Sequence, residues 1–266
     1  MLTSLMLGLA VGLILALTGA GGGILAVPLL VFGTHIGVAQ AGPIGLMAVG
    51  MAAALGAILG LRAGVVRYRA ALLIAIAGML LSPAGLWLAR RIDNRWLSLL
   101  FALVLLYVAF NTLRKARGWT GTAADPEDRR PPCVRGLDTG RFIWTRPCAR
   151  VLALSGSFAG LLSGLLGVGG GFVMVPALQR YTNLAMQSAV ATSLAVIALI
   201  SLAGVATSAA GGALAWSIAL PFSAGALAGM LGGRTLSARL SGPLLQTAFA
   251  AVSAAVAAGM IVKALR

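Results

Sequence analysis

The stretch GAGGGILAVP, residues 19–28, interrupts an apolar run with three consecutive glycines and then a proline. Glycine and proline are the residues that the interior of an α-helix tolerates least. At a shift of 148 residues the stretch GVGGGFVMVP, residues 167–176, repeats the pattern. A very hydrophobic chain therefore breaks a helix at two matched places, and these two breaks are the first candidates for a functional site.

The composition predicts a membrane protein. The chain has 266 residues, 60% of them hydrophobic, and a mean hydropathy of +1.00. Apolar runs of about 18 residues with almost no charge are typical of transmembrane helices. We predict an all-α polytopic membrane protein with eight to ten transmembrane segments, of which two are the short pieces after the glycine triplets. The candidates are Leu2–Thr18, Ile24–Phe32, Val38–Leu61, Ala70–Ala89, Trp96–Leu113, Val151–Leu166, Phe172–Leu178, Leu184–Ala210, Leu214–Gly233 and Leu244–Val262.

The same shift of 148 residues aligns two halves of the chain. It pairs Gly21–Gly23 with Gly169–Gly171 and Pro28 with Pro176, and a slip of one residue pairs Gln40 with Gln187. We predict a first transmembrane repeat at 1–113, a basic polar connecting loop at 114–150 and a second repeat at 151–266. Internal duplication is common in secondary transporters. The pattern leaves open whether the two homologous halves are parallel or inverted.

The formal charge of +15 is concentrated between the apolar runs. This placement indicates the positive-inside rule and attraction to anionic lipid headgroups, not nucleic-acid binding. The basic excess of the central loop predicts that this loop is cytoplasmic. Cys133 and Cys148 lie in the loop without metal-type spacing, and a cytoplasmic location favours free thiols over a bonded pair.

The two breaks predict an anion site. A break at membrane depth persists only inside the protein or beside a wet cavity. A helix that restarts after Gly23 or Gly171 directs its first N–H groups at the break, where they carry about half a positive charge. Glycine also lets a ligand approach the backbone. The alternative is that the glycines only permit close helix packing.

The acidic residues also argue for an anionic substrate. All five lie in loops, so no candidate helix carries the buried carboxylate that cation carriers generally need. The polar cluster that we expect to select the anion by hydrogen bonds is Gln187, Thr192 and Ser193, with Gln40 in the first half. The alternative for each hydroxyl is a bond to its own backbone. The single histidine, His35, leaves no base for an enzyme, and no metal or cofactor is predicted.

The glycine triplet with Val-Pro in both halves, and AVATSLAV at 189–196, resembles the TauE/SafE family of sulfite exporters. The residues that match the family pattern are Gly21, Gly22, Gly23, Pro28, Gly169, Gly170, Gly171, Pro176, Thr192 and Ser193. The resemblance implies a bacterial inner-membrane carrier for sulfite, organosulfonates or related sulfur-containing anions. The first half departs from the pattern, because Gly45 and Leu46 stand where the second half has Thr-Ser.

These observations favour a secondary transporter that moves a small anion by alternating access. Two alternatives stay open: an anion channel, and a non-transporting membrane scaffold that acts through the basic central loop. The sequence also leaves open which anion is carried, in which direction, whether a proton is co-transported and whether the protein is a homodimer.

Overall fold

The computed structural model describes residues 2–116, 133, 145–212, 214–237 and 242–265, with side-chain surroundings at all of these except 20, 21, 115, 116, 234–237, 242–246 and 265. These residues form ten α-helices and one 3₁₀ segment. The helices are α1 Leu2–Thr18, α2 Ala26–Thr34, α3 Val38–Arg62, α4 Tyr68–Arg91, α5 Asn94–Ala116, α6 Arg146–Leu166, α7 Gly171–Tyr181, α8 Met186–Ala210, α9 Trp216–Ser237 and α10 Gly242–Leu265, and the 3₁₀ segment is Gly19–Leu25.

Seven of the described helices, α3 to α6 and α8 to α10, are long and apolar enough to cross a membrane. The prediction of an all-helical membrane protein is confirmed. Helices suit this apolar chain because each helix pairs its own backbone N–H and C=O groups, and lipid offers these groups no hydrogen-bond partners. Most of the predicted central loop, 114–150, lies outside the described residues.

The helix contacts define the two ends of the bundle. The side-chain oxygen of Asn94 accepts a hydrogen bond from the Val38 amide at 2.7 Å, so α3 and α5 begin side by side. Both helices then run to the opposite end, where α3 finishes at Arg62 and α4 begins at Tyr68. We call this the loop end, because the central loop leaves α5 there, and the other the far end.

Glycines allow two pairs of helices to pack backbone to backbone. In the pair α4 and α6, a β-carbon built on Gly160 would lie 2.1 Å from the Gly78 carbonyl oxygen, and one built on Gly164 would lie 2.0 Å from the Ser82 carbonyl oxygen. Both distances are too short for a real β-carbon, so only glycine lets the two backbones touch at these positions. Residue numbers rise together along this contact, so the two helices are parallel and α6 begins at the loop end. The pair α1 and α9 is parallel in the same way, with Gly12 against Ala226.

Helices α3 and α8 cross in opposite directions at the centre of the bundle. A β-carbon built on Gly60 would contact Ala191, one on Gly50 would contact Ser201, and Gly204 contacts Leu46. Helix α8 therefore begins at the loop end and finishes at the far end. Helices α8, α9 and α10 begin 148 positions after α3, α4 and α5. These bounds follow the internal shift of the sequence, and the common origin of the two halves stays a prediction.

The restart of the broken helices differs from our expectation in two places. In the first half the helix does not restart directly after Gly23, because the 3₁₀ segment continues through the triplet and α2 begins at Ala26. The sequence pattern also predicts Pro28 and Pro176 early in the restarted helices, where a missing N–H costs least. Pro28 is the third residue of α2, but Pro176 is the sixth residue of α7, which begins at Gly171. Proline has no N–H, so the carbonyl of Phe172, four residues earlier, has no intrahelical donor.

The two cysteines are bonded, and the expectation of free thiols is corrected. Cys133 and Cys148 form a disulfide with their α-carbons 4.9 Å apart. Cys148 lies in the first turn of α6, where its amide donates to Thr145 Oγ1. The Cys133 amide donates to the Tyr181 carbonyl at 3.2 Å, at the end of α7. One residue of the central loop is thus fastened to both outer ends of α6 and α7.

Candidate functional site

Each glycine break is the tip of a helical hairpin. In the first hairpin, α1 and α2 fold against each other, because a β-carbon on Gly22 would lie 2.7 Å from Leu15 Cα and one on Gly33 would contact the Leu7 side chain. The outer end of α2 lies at the far end of the bundle, where the Val31 carbonyl accepts a hydrogen bond from Lys263 Nζ at 3.2 Å.

The second hairpin, α6 and α7, opens toward the opposite end. Helix α6 begins at the loop end, and the end of α7 at Tyr181 is held beside it through Cys133. At the tip, a β-carbon on Gly170 would lie 2.7 Å from the Ala159 carbonyl oxygen of α6. The two hairpins therefore enter the bundle from opposite ends.

The two tips meet at half depth, beside the crossing of α3 and α8. A β-carbon on Gly23 would lie 3.3 Å from the carbonyl oxygen of Val168, and β-carbons on Gly23 and on Gly169 would both contact the Val49 side chain of α3. Val49 neighbours Gly50, which lies at the crossing. Secondary transporters place their substrate sites near this depth, on broken helices.

The backbone at the breaks adopts conformations that favour glycine. Gly19, Gly167, Gly169 and Gly170 have φ values of 72°, 73°, 76° and 70°. An L-residue with a β-carbon is strained in this region, so these glycines are required by the chain path itself. The Gly170 carbonyl accepts from Val173 and Met174 at 3.1 and 3.2 Å, so the first turn of α7 is formed and its leading N–H groups face the break.

A cavity of about 1000 Å³ reaches from the loop end toward the first tip. It is bounded by parts of α1, α3 and α5 to α10, and Thr18 and Gly19 of the first tip contribute to its wall. Its described lining is mainly apolar and carries no formal charge. The polar side chains that line it are Thr18, Tyr107, Asn111, Thr112, Gln179 and Gln187.

The inner part of the cavity is closed by side chains. Leu194 and Met230 line it, and a β-carbon built on Gly56 would lie 2.8 Å from a terminal carbon of each. Gly56 is between Gly60, near the loop end of α3, and Gly50, at the crossing. The described lining of the cavity therefore stops short of the central crossing, because it does not include Val49 or Gly50.

The structure distributes the predicted site residues over several places. Gln187 and Pro176 line the cavity. Gln40 is exposed in the first turn of α3 at the far end, so it does not join Gln187. The other predicted residues lie at the two tips or in the first turn of α2. The buried ones are Gly22, Gly23, Pro28, Gly169, Gly170 and Gly171. Gly21 belongs to the 3₁₀ segment between α1 and α2.

The cluster expected from Gln187, Thr192 and Ser193 is not brought together. Both hydroxyls are fully buried, and both are bonded within the protein. Thr192 Oγ1 accepts from the Arg67 amide at 3.1 Å, and Ser193 Oγ donates to the Ala189 carbonyl at 2.8 Å. Ser193 thus follows the alternative in which a helix serine bonds to its own backbone.

Some cavity residues were not singled out from the sequence. Tyr107 and Thr112 of α5 and Phe172 of α7 line the wall. The α5 sequence is apolar on all sides, so its pattern does not indicate which face meets the protein. Only the packing of α5 against α3 and α10 shows which of its faces meets the cavity.

Comparison with known proteins identifies the family. The family model described as "Sulfite exporter TauE/SafE" matches residues 4–260. A "Probable membrane transporter protein" of Xylella fastidiosa (strain 9a5c) is 32% identical over 252 residues, covering 93% of this chain and 89% of the relative. A protein of the same description from Xylella fastidiosa (strain Temecula1 / ATCC 700964) is 31% identical over 254 residues, with the same coverage. No solved structure matches the chain. The chain is therefore a multi-pass membrane transporter, not an enzyme, and it belongs to the TauE/SafE sulfite exporter family.

Proposed function

We propose that the protein is a secondary carrier of a small anion, which it binds at the glycine breaks and moves by alternating access. The observation that carries this proposal is the meeting of two oppositely directed hairpin tips at half depth, with a cavity that reaches one of them from the loop end. The substrate class proposed is sulfite, an organosulfonate or a related sulfur-containing anion, as the family description suggests.

The chemistry of the breaks supports an anion. Helix α7 directs the N–H groups of its first turn at the second tip, and these supply positive potential without a side-chain charge. The described lining of the cavity offers amides and hydroxyls, among them Gln187 and Asn111, that can donate to oxyanion oxygens. The acids of the chain all lie outside the described helices, so a proton would travel on the substrate and not on a protein carboxylate.

The opposite entry of the hairpins supports alternating access. In this structure Gly19 of the first tip borders the cavity, as does Phe172 in the first turn of α7, whereas Gly167 of the second tip is packed against Gly42 of α3. The exchange of these two arrangements would close the loop-end cavity and open one at the far end around the second tip. This motion is what two inverted repeats with a shared central site provide.

We further propose, from charge, that the loop end faces the cytoplasm of a bacterial inner membrane. The Cys133–Cys148 disulfide at this end is an observation against this orientation, because the cytoplasm keeps thiols reduced. More of the described basic residues lie at the loop end than at the far end, as the positive-inside rule requires. Those at the loop end are Arg62, Arg67, Arg69, Arg114, Lys115, Arg146, Arg150, Arg180 and Arg234, and those at the far end are Arg90, Arg91, Arg95 and Lys263. A reporter that fluoresces only in the cytoplasm should be active in the central loop and dark after Arg266, and the reverse result would invert the orientation.

The function is tested by ligand-dependent stability and by flux. Purified protein is heated with sulfite, thiosulfate, sulfate, isethionate, chloride or acetate at equal ionic strength. A ligand that binds only the folded state adds about 2.7 kcal/mol at a hundred times its dissociation constant. In proteoliposomes a carrier saturates and exchanges internal for external substrate. Flux without saturation or exchange would indicate a channel, and neither binding nor flux for any anion would leave the scaffold alternative.

A further inference from the structure

Ser201 is a buried hydroxyl at the centre of the bundle without a hydrogen-bond partner. Its side chain is 1% exposed, and no described group accepts from or donates to its Oγ. An unpaired buried hydroxyl costs about 1–3 kcal/mol of stability. A serine in a helix can avoid this cost by donating to the carbonyl four residues back. Ser208, on the same helix, does so with the Gly204 carbonyl at 2.7 Å.

The hydroxyl of Ser201 faces the second glycine break. A β-carbon built on Gly169 would lie 3.3 Å from Ser201 Oγ, and one built on Gly50 of α3 would also lie 3.3 Å from it. Position 53, which the internal shift pairs with Ser201, is alanine. The central hydroxyl therefore belongs to the second half alone, and Gly169 and Gly50 are the residues that leave room beside it.

Hydrogen-bond donors converge at this point. Gly169 and Gly170 both have positive φ, and α7 begins at Gly171 with its leading N–H groups toward the break. Ser201 adds an O–H donor from α8. No described Asp or Glu lies in α3, α7 or α8 to attract a cation. A group with several acceptor oxygens and negative charge suits such a set of donors.

We propose that Ser201 and the N-terminal amides of α7 form the innermost anion-binding subsite of the carrier, with the Ser201 hydroxyl donating to an oxyanion oxygen of the substrate. This inference rests on the proposed function and names the side chain that serves it. In this structure neither Ser201 nor Gly169 lines the cavity, whose described lining includes Leu194 and Met230, so the anion would pass beyond the present cavity to reach Ser201. In this proposal Ser201 takes the anion-binding role that we expected of Thr192 and Ser193, whose hydroxyls are bonded within the protein.

Ser223 provides a matched control. It is 2% exposed, its Oγ also has no partner, and it lies on α9, which packs against α1 and α3. Ser201→Ala and Ser223→Ala each remove one unpaired buried hydroxyl, so their effects on unliganded stability should be similar. The two variants differ only in whether the hydroxyl faces a break.

The experiment measures the dissociation constants of sulfite and thiosulfate for the purified full chain, with chloride as the reference anion. We expect Ser201→Ala to weaken binding of the preferred anion about tenfold and Ser223→Ala to leave it within twofold. Ser201→Cys keeps a donor, which is weaker and slightly larger than the hydroxyl, and should fall between wild type and Ser201→Ala. It also serves if Ser201→Ala does not fold. Unchanged affinity in the Ser201 variants, with wild-type binding intact, would overturn the subsite while the proposed function stands. Absence of binding and flux in wild type would instead overturn the proposed function, and the subsite with it.

Discussion

Gly167 and Gly42 touch backbone to backbone, because a β-carbon built on Gly167 would lie 2.1 Å from the α-carbon of Gly42. Through this contact the tip of the second hairpin, whose Gly169 lies at half depth, extends along α3 toward the far end. The corresponding residue of the first tip, Gly19, instead faces the Val190 side chain of α8 and the edge of the cavity. The two tips are therefore in different packing states within one molecule.

The contact between Gly167 and Gly42 predicts unequal effects of alanine. Gly167→Ala places a β-carbon against the α3 backbone and forces an L-residue to a φ of 73°, so we expect a loss of about 2 kcal/mol or more. Gly42→Ala places its β-carbon 3.5 Å from Gly167 Cα, an ordinary contact, and should cost less. Thermal unfolding in detergent measures both, and equal losses would contradict the seating of the tip.

The disulfide predicts a measurable contribution to stability. It closes a loop with a sequence separation of 15, for which chain-entropy arguments give about 3 kcal/mol. We expect a reductant, or the double change Cys133→Ser and Cys148→Ser, to lower the unfolding temperature. The serine variant is the control for the reductant. Both cysteines of the chain are changed in it, so a reductant should not lower its unfolding temperature further. Identical unfolding of wild type with and without reductant would refute the prediction.

Gln187 and Gln40 form a matched pair for testing the cavity. Gln187 lines the cavity at the loop end, whereas Gln40 is exposed at the far end. A single hydrogen bond contributes about 1 kcal/mol, so Gln187→Ala should weaken anion binding about fivefold. Gln40→Ala should leave binding unchanged when the protein is held open toward the loop end. Calorimetric titration of both variants decides, and a larger effect at Gln40 would place the binding site in the other half.

We expect substitution of Thr192 to lower the stability of the protein and not its affinity for the anion. Thr192→Val removes the acceptor of the Arg67 amide, and a buried donor without a partner costs about 1–3 kcal/mol. Ser193→Ala removes a hydroxyl that bonds only to its own helix and should be nearly neutral. Both variants should keep the wild-type dissociation constant once folded. A loss of affinity without a loss of stability would contradict this prediction and indicate that these hydroxyls bind the anion.

The substitutions Gly22→Leu and Gly170→Leu, which change the breaks directly, would act first on packing. A β-carbon on Gly22 meets the backbone of α1, and one on Gly170 meets the backbone of α6. These glycines are needed by the hairpins whether or not an anion binds there. Ser201 is a better test of the break, because its change to alanine removes a hydroxyl without adding an atom.

The amino-acid sequence by itself determined the membrane helices and the positions of the breaks. Apolar runs are local signals, and a glycine triplet with a proline interrupts a helix wherever it occurs, so α3 and α8 begin near the predicted residues. The family resemblance was likewise carried by local motifs, and the family match confirms it.

Only the tertiary structure decided which residues share the centre. The direction of each hairpin depends on helix contacts, and those contacts join residues that are distant in the sequence, such as Gly50 and Ser201. The sequence pattern does not distinguish a helix hydroxyl that bonds to its own backbone from one that faces a break. Both serines lie one turn from a carbonyl of their own helix. Ser193 bonds to that carbonyl, whereas the hydroxyl of Ser201 faces the place where α3, α7 and α8 meet.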